Sequence, residues 1–214
     1  MKTLFTTVVS VCTTSLLLTA CGSDSVIDNP LITSNLNDEE VSSLLFMREE
    51  EELARDLYLD IYAAKDNRLN IFKSISDNAE TKHAEAIRVL LEKYQISDPS
   101  TGERNTYTDN DLQDLYNSLL NNAIGSDDLA ALRVGALVEE TDIMDINAHK
   151  ANVSLEHTDI ISTYDNLLCG SRNHLRSFVK EIESISGTTY ITQVSALESE
   201  VRAILSSPQE FCGK

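Results

Sequence analysis

Apolar residues recur every three or four positions over four long segments of this 214-residue chain, and proline and glycine are scarce at three and seven residues. This spacing places apolar side chains on one face of an α-helix, and no segment shows the sustained alternation typical of a strand. The pattern therefore predicts an all-α protein. Long helices are predicted at about 37–65, 70–95, 126–150 and 157–186, and short ones at about 109–122 and 195–206.

The connection between the second and third long helices is much longer than the others. It contains "QISDPSTGERNTYT", whose composition is that of a loop. Four long helices with one long connection describe a bundle of the up-down-down-up type. Asn37 followed by Glu40, and Ser126 followed by two aspartates, have the residue types that begin helices.

The first twenty residues, "MKTLFTTVVSVCTTSLLLTA", predict an export signal, because one lysine precedes an uncharged stretch that is too short to span a bilayer well. The tetrapeptide "LTAC", which ends at Cys21, resembles the lipobox of bacterial lipoproteins. That resemblance implies acylation of Cys21 and a lipid anchor on the periplasmic or surface side of a bacterial cell envelope, with ordinary secretion as the alternative. Residues 21–36 are predicted to be a tether, and residues 37–214 the folded domain.

The chain is strongly acidic, with 35 acidic and 17 basic residues and a formal charge of −18. Such a surface repels phosphate groups, so nucleic acid is excluded as a partner, and the membrane is expected as a partner only through the anchor. Cys169 and Cys212 remain once the two N-terminal cysteines are assigned to the signal and the anchor. In an oxidising compartment this pair is predicted to form a disulfide.

One carboxylate interrupts the apolar face of the first helix, within "FMREEEELARDLYLDIY". Glu51 falls on the stripe between Met47 and Ala54, where a core residue is expected. Its neighbours Glu49, Glu50 and Glu52 are predicted to lie on a solvated face. An ionised carboxylate buried alone would be very costly, so Glu51 must be protonated, paired or bound to a cation.

The other three long helices carry similar residues on their inward faces. The set contains carboxylates and imidazoles, a combination of oxygen and nitrogen donors that suits iron or manganese, with zinc possible and calcium disfavoured. Pairing of the carboxylates with Arg172 or Arg176 is the alternative to metal binding, and a satisfied core histidine is the alternative for the fourth helix. The candidate ligands are Glu51, Glu80, His83, Glu139, Asp142 and His174.

A Glu-x-x-His pair facing lone glutamates on other helices resembles the ferritin-like di-metal carboxylate proteins, which take a glutamate from each of two helices and Glu-x-x-His from each of the others. More narrowly, "REEEELARDLYLDIY", "NAETKHAEAIRVLLEKY", "VGALVEETDIMDI" and "GSRNHLRSFVKEI" together look like an uncharacterised ferritin-like family, domain of unknown function 2202. On the fourth helix Ser171 stands where that pattern has a glutamate. Either Asp142 supplies the missing carboxylate, or the site holds one metal well and a second poorly.

The leading interpretation is an exported, lipid-anchored protein with a di-iron or di-manganese centre, used for redox chemistry on oxygen or peroxide or for metal capture. Whether it catalyses a reaction is left open. The alternative is a metal-free structural or interaction lipoprotein with a degenerate site. Tyr58 and Tyr164 fall on inward stripes, either to pack or to donate a hydrogen bond near the metal, whereas His149 and His157 are expected in solvent.

Overall fold

A computed structural model describes residues 35–213, and every regular element among them is helical. The predicted export signal, Cys21 and most of the predicted tether lie outside the described residues. Within the described part, no helix has the length and apolar character needed to cross a membrane. The elements are α1 (Asp38–Ala64), α2 (Asn70–Ile75), a π-helical turn (Ser76–Glu80), α3 (Thr81–Lys93), α4 (Asn110–Ile124), α5 (Asp128–Ala151), α6 (Thr158–Ser186), a 3₁₀ turn (Ser195–Leu197) and α7 (Glu198–Ser206).

The four long helical segments pack in a ring around one apolar core. Helix α1 contacts α3 and α5, and α6 contacts α5 and α3. The long crossover between α3 and α5 carries α4, which packs on the outer side of α1 and α5, while α7 packs on α6. The prediction of an all-α helical bundle with a short helix in its long connection is confirmed.

Local sequence sets the helix boundaries. At the start of α1, Asn37 and Glu40 form a reciprocal capping box, in which each side chain accepts a hydrogen bond from the other residue's backbone N–H at 2.9 Å. Helix α5 is capped by Asp127 rather than by Ser126, one residue later than predicted. Helix α6 ends at Gly187, whose φ of 66° is the left-handed conformation that favours glycine.

The second long segment is not one regular helix as predicted, because a π turn separates α2 from α3. The backbone N–H of Thr81 donates to the carbonyl of Ser76, five residues earlier, and the Thr81 hydroxyl donates to the same carbonyl at 2.9 Å. Such turns occur often at functional sites. Here the turn ends at Glu80, whose side chain is buried in the bundle.

The prediction that the neighbours of Glu51 face solvent is wrong. Glu49, Glu50 and Glu52 are only 3%, 7% and 9% exposed. The crossover and α4 cover this side of α1, and Glu49 accepts a hydrogen bond from the backbone N–H of Asp109 at 3.0 Å, just before α4 begins. The periodicity of α1 alone does not show that a later segment returns to cover its outer face.

The histidines between α5 and α6 also differ from the prediction. His157 is buried, and its Nδ1 lies 2.7 Å from Oε1 of Glu40. His149 is half-buried, with its ring 5.1 Å from that of Phe46. The turn that was expected to be solvated is therefore fixed to the first turn of α1.

The predicted disulfide is present. Cys169 in α6 is joined to Cys212 near the C-terminus, with a Cα separation of 5.6 Å. This distance is typical of native disulfides. The bond attaches the chain that follows α7 to the middle of α6.

The fold predicts a pH-dependent role for Glu40. Its carboxylate accepts from the backbone N–H groups of Asn37 and Ser154 and contacts the His157 ring. Burial acts to raise the pKa of Glu40, but the two N–H donors and the imidazole outweigh it and hold the pKa below its ordinary value of 4.5. We expect Glu40→Gln to lower the free energy of unfolding by about 1–3 kcal/mol at neutral pH.

Because the folded-state pKa of Glu40 is depressed, this difference is fully present above its ordinary pKa and is lost as pH falls through its folded-state pKa. Urea unfolding of wild type and Glu40→Gln at about pH 7 and about pH 3 measures it. Glu39→Gln is the matched control, since Glu39 is exposed in the same helical turn and should change stability by less than about 0.5 kcal/mol. A difference that stayed constant with pH would contradict the role given to Glu40.

Candidate metal centre

Five of the six predicted ligands meet in the core of the bundle, and each long helical segment contributes at least one. Glu51 comes from α1, Glu80 from the end of the π turn, His83 from α3, Glu139 from α5 and His174 from α6. The three glutamates are 1–2% exposed. The two histidine side chains are 13% and 12% exposed, so the imidazoles form the side of the cluster nearest to solvent.

The five side chains form two groups that share Glu80. In the first group, Nδ1 of His83 lies 3.1 Å from Oε2 of Glu80 and 3.2 Å from Oε2 of Glu51. In the second group, Nδ1 of His174 lies 2.9 Å from Oε1 of Glu80 and 3.4 Å from Oε2 of Glu139. Within each group the potential ligand atoms all lie within 4.8 Å of one another. Each group offers two carboxylates and one imidazole, and Glu80 directs one oxygen toward each imidazole.

Asp142, the sixth predicted ligand, lies outside both groups. Its carboxylate is 7% exposed and accepts a short hydrogen bond from the hydroxyl of Ser171 on α6. Ser171 is the residue that stands in place of the glutamate expected on the fourth helix. Asp142 therefore lies next to the cluster, and the hydrogen bond from Ser171 holds its carboxylate there.

Two further residues shape the cluster. The hydroxyl of Tyr58 donates to Oε1 of Glu139 and leaves Oε2 facing His174, so this inward tyrosine does more than pack. Gly170 allows the His83 ring to approach α6, because a Cβ at position 170 would lie 2.5 Å from the ring atoms Cε1 and Nε2. The tyrosine on the fourth helix, Tyr164, pairs with Ser43 instead.

The cluster pairs with neither of the arginines predicted as alternative partners. Arg172 and Arg176, the alternative partners considered from the sequence, both bind Glu210 on the outside of α6. Among residues 35–213, no ion pair joins a lysine or arginine to any carboxylate of the cluster or to Asp142. The imidazoles are the groups that offset the buried negative charge.

Other buried acidic residues of this bundle are satisfied differently. Glu140 is fully buried and accepts from the backbone N–H groups of Gln193 and Val194 at 2.8 and 2.7 Å. Glu40 and Glu49 likewise accept from backbone N–H groups. No backbone donor reaches the cluster glutamates in the described part of the chain. The buried acidic residues therefore fall into two sets. Glu40, Glu49 and Glu140 bind backbone N–H groups of loops, whereas the cluster glutamates face other potential metal ligands.

Several potential ligand atoms are buried without a hydrogen-bond partner among the described residues: Oε1 of Glu51, Oε1 of Glu80 and Nδ1 of His174. The last two lie 2.9 Å apart, yet their contact lacks hydrogen-bond geometry. Buried polar atoms left unpaired cost free energy, and a bound ion is one of the recognised explanations for them. Converging lone pairs of this kind fit a bound cation better than a network of hydrogen bonds.

The electrostatics of the cluster show what it does without a cation. Burial raises the pKa of Glu51 to about 7, although the imidazole of His83 opposes this. Burial acts to lower the pKa of His174, but the carboxylates of Glu139 and Glu80 raise it to about 10. The pKa of His83 is likewise held well above its ordinary value, by Glu51 and Glu80. Protons on the imidazoles thus supply positive charge that a metal ion would replace on binding.

Glu50 is a buried carboxylate that the sequence reasoning assigned to solvent. Burial, together with the charges of Asp142 and Asp145, raises its pKa well above the ordinary value, and its Oε2 has no hydrogen-bond partner in the described chain. With Asp142 it borders a cavity of about 80 Å³ between α1, α4 and α5. In the sequence Glu50 is the second of four consecutive glutamates, but only the position of α4 makes it internal.

Comparison with known proteins identifies relatives of this chain. A family described as "Uncharacterized protein domain (DUF2202)" matches residues 40–208. The Uncharacterized protein MJ0754 of Methanocaldococcus jannaschii is 38% identical over 176 residues, which cover 82% of this chain and 91% of that protein. The crystal structure of hypothetical protein MJ0754 superposes with a TM-score of 0.74 at 37% identity, covering 82% of this chain and 96% of that one.

Proposed function

The chain belongs to the uncharacterized DUF2202 family, and for this member we propose that a ferritin-like four-helix bundle binds a two-metal carboxylate centre of iron or manganese. The observation that carries the proposal is the pair of ligand groups sharing Glu80, which among residues 35–213 have no lysine or arginine partner and include unpaired ligand atoms. Glu51, Glu80 and His83 would hold one ion. Glu80, Glu139 and His174 would hold the other.

Charge and donor type agree with this assignment. When ionised, the carboxylates of Glu51, Glu80, Glu139 and Asp142 carry four negative charges, which two divalent ions would neutralise. Carboxylate oxygen mixed with imidazole nitrogen suits iron and manganese, whereas all-oxygen sites suit calcium and magnesium. Asp142 contributes charge from its position beside Ser171 rather than from within either group. The imidazoles would hold the ions through Nδ1, which must first release its proton.

When bound, such ions supply electron transfer toward oxygen or peroxide, and the protein residues supply position. Tyr58 fixes the orientation of Glu139 by donating to one of its oxygens. Gly170 gives His83 the room to direct Nδ1 toward Glu51 and Glu80. The three glutamates are 1–2% exposed, and burial strengthens the attraction between a carboxylate and a cation. We further propose export and a lipid anchor at Cys21, supported by the lipobox-like "LTAC".

Metal titration tests the proposal. Anaerobic addition of Fe²⁺ or Mn²⁺ to protein stripped with a chelator should saturate at two equivalents per chain. The melting temperature should rise with metal concentration, because an ion that binds only the folded state stabilises it by about 2.7 kcal/mol at a hundredfold excess over its Kd. Saturation at one equivalent would indicate that the serine at 171 weakens the second site. No binding would instead support the metal-free alternative.

A substitution in the first ligand group should have opposite effects on stability with and without metal. In metal-free protein, Glu51→Gln removes a carboxylate whose ionisation is disfavoured by burial, and it should raise the free energy of unfolding by about 1–3 kcal/mol. With metal bound, the same change removes a ligand and should lower the melting temperature. Thermal unfolding of both forms measures the effect, with the exposed Glu39→Gln as the control. The same sign in both forms would contradict a metal role for Glu51.

A further inference from the structure

A groove of about 480 Å³ lies over the imidazole side of the cluster. Both His83 and His174 line it, so it is the place where the candidate metal centre approaches the surface. The helical walls come from α3 and α6. Among its other lining residues are Lys82, Gly170, Asn173, Gln209 and Cys212, and none of the lining residues in the described part of the chain is acidic.

One wall of this groove is not part of a helix. It is the extended segment that follows α7, residues 207–213, which we term the C-terminal strap. The strap lies against α6: Glu210 pairs with Arg172, and the backbone N–H of Gly213 donates to the side chain of Asn166 at 3.2 Å. The only covalent attachment in the described strap is the disulfide from Cys212 to Cys169.

The two sulfurs of this disulfide differ in exposure. Cys169 is 7% exposed within α6, whereas Cys212 is exposed and lies at the groove, where its Sγ accepts a hydrogen bond from Asn173 at 3.3 Å. A thiolate from solution therefore reaches Cys212 first. The leaving sulfur is that of Cys169. Its neighbour Gly170 is the residue against which the His83 ring packs.

We propose that the Cys169–Cys212 disulfide is a site for reduction by a dithiol, and that its reduction releases the C-terminal strap and opens the groove to the metal centre. One thiolate of the dithiol bonds to Sγ of Cys212, and the bond between the two protein sulfurs breaks, which frees the Cys169 thiolate. The second thiol of the reductant then displaces Cys212. The protein gains two electrons and two protons, and the reductant becomes a disulfide.

After reduction only noncovalent contacts hold the strap against α6, among them two hydrogen bonds between the side chain of Asn173 and the backbone of Glu210. Glu210 also pairs with Arg172 and Arg176 and is 32% exposed, and partly exposed contacts of this kind break and re-form when a segment opens locally. The backbone bond of Gly213 is also exposed. Since this wall carries no regular secondary structure, its opening leaves the packing of α3 against α6 unchanged.

Chemical modification of histidine in metal-free protein tests the opening directly and does not depend on metal binding. Diethyl pyrocarbonate acylates the neutral imidazole, so the ratio of rates before and after reduction is measured for each histidine at one fixed pH of about 8. Dithiothreitol is removed anaerobically before the reagent is added, the temperature is one where the helical circular dichroism of the reduced protein is unchanged, and modified peptides are quantified. We expect modification of His83 and His174 to become roughly tenfold faster on reduction, as for a segment that opens locally. His149 and His157, which lie at the turn between α5 and α6 and do not line the groove, should keep their rates.

Unchanged rates at His83 and His174, or an equal rise at all four histidines, would overturn the proposal. The first result would mean that the strap stays in place, and the second that reduction loosens the whole bundle. The double variant Cys169→Ser/Cys212→Ser should behave like reduced protein without added dithiothreitol.

A second measurement tests whether the strap controls access to the metal centre. This role of the strap rests on the proposed function. The rate at which a chelator removes Mn²⁺ from loaded protein should be faster in the reduced form than in the oxidised form. Equal removal rates in the two forms would overturn the gating role of the strap. Failure of the protein to load with Mn²⁺ in either form would refute the metal centre, while the histidine modification would still decide whether the strap opens.

Discussion

Replacing Glu80 with glutamine should abolish binding of both metal ions, which is the largest effect we expect from any single substitution. Glu80 is the one carboxylate common to the two ligand groups, with Oε2 toward His83 and Oε1 toward His174. Loss of a residue that merely orients a ligand typically lowers metal affinity about 10–100-fold. Loss of a shared ligand should lower affinity at least as much at both positions, and metal analysis of the purified variant measures it.

Glu85→Gln is the matched control on the same helix. Glu85 is exposed, and its one ion pair among residues 35–213 is with Arg88, so its substitution should leave the metal content at the wild-type value. Glu51→Gln and Glu139→Gln should each weaken mainly one position. Equal metal content in Glu80→Gln and Glu85→Gln would show that the cluster around Glu80 is not the binding site.

The second large effect concerns the disulfide. Cys169 and Cys212 are 43 residues apart in sequence, and the chain-entropy relation gives a stabilisation of about 4 kcal/mol for a loop of this length. The double variant Cys169→Ser/Cys212→Ser should lose about this much free energy of unfolding, chiefly because its unfolded chain is no longer cross-linked. Urea unfolding of metal-free protein measures the loss without a contribution from ligand binding.

Reduced wild type is the appropriate comparison, since it lacks the cross-link but retains both sulfurs. Its unfolding midpoint should agree with that of the double variant. Thiol titration of denatured, unreduced protein should find neither Cys169 nor Cys212 free. Two reactive thiols in the domain, or a double variant as stable as oxidised wild type, would refute the disulfide as a source of stability.

The inward face of each long helix was predictable because burial follows the helical period. Glu51 and Glu139 fall on stripes whose other members form the apolar core, and both are 1–2% exposed. The one-turn spacing of Glu80 and His83 placed them on the same face. A carboxylate at a predicted core position therefore indicates a binding site or a paired group, because burying it without a partner is energetically costly.

Features that depend on distant segments were not predictable. The burial of Glu49 arises from the return of the crossover to α1, where its carboxylate binds the backbone N–H of Asp109. The spacing of apolar residues in the second long segment does not indicate the π turn that ends at Glu80. The pairing of Ser171 with Asp142 across α5 and α6 depends on the register of two helices, which sequence spacing does not fix.

Anomalous diffraction from crystals grown with Mn²⁺ or anaerobic Fe²⁺ tests the central claim most directly, because it locates the ions rather than counting them. We expect two peaks flanking Glu80, one in contact with Glu51 and His83 and the other with Glu139 and His174. The Glu80→Gln variant should show neither peak. Ordered protein with no peak beside Glu80, or with peaks only at the surface acidic residues, would contradict a metal centre in this bundle.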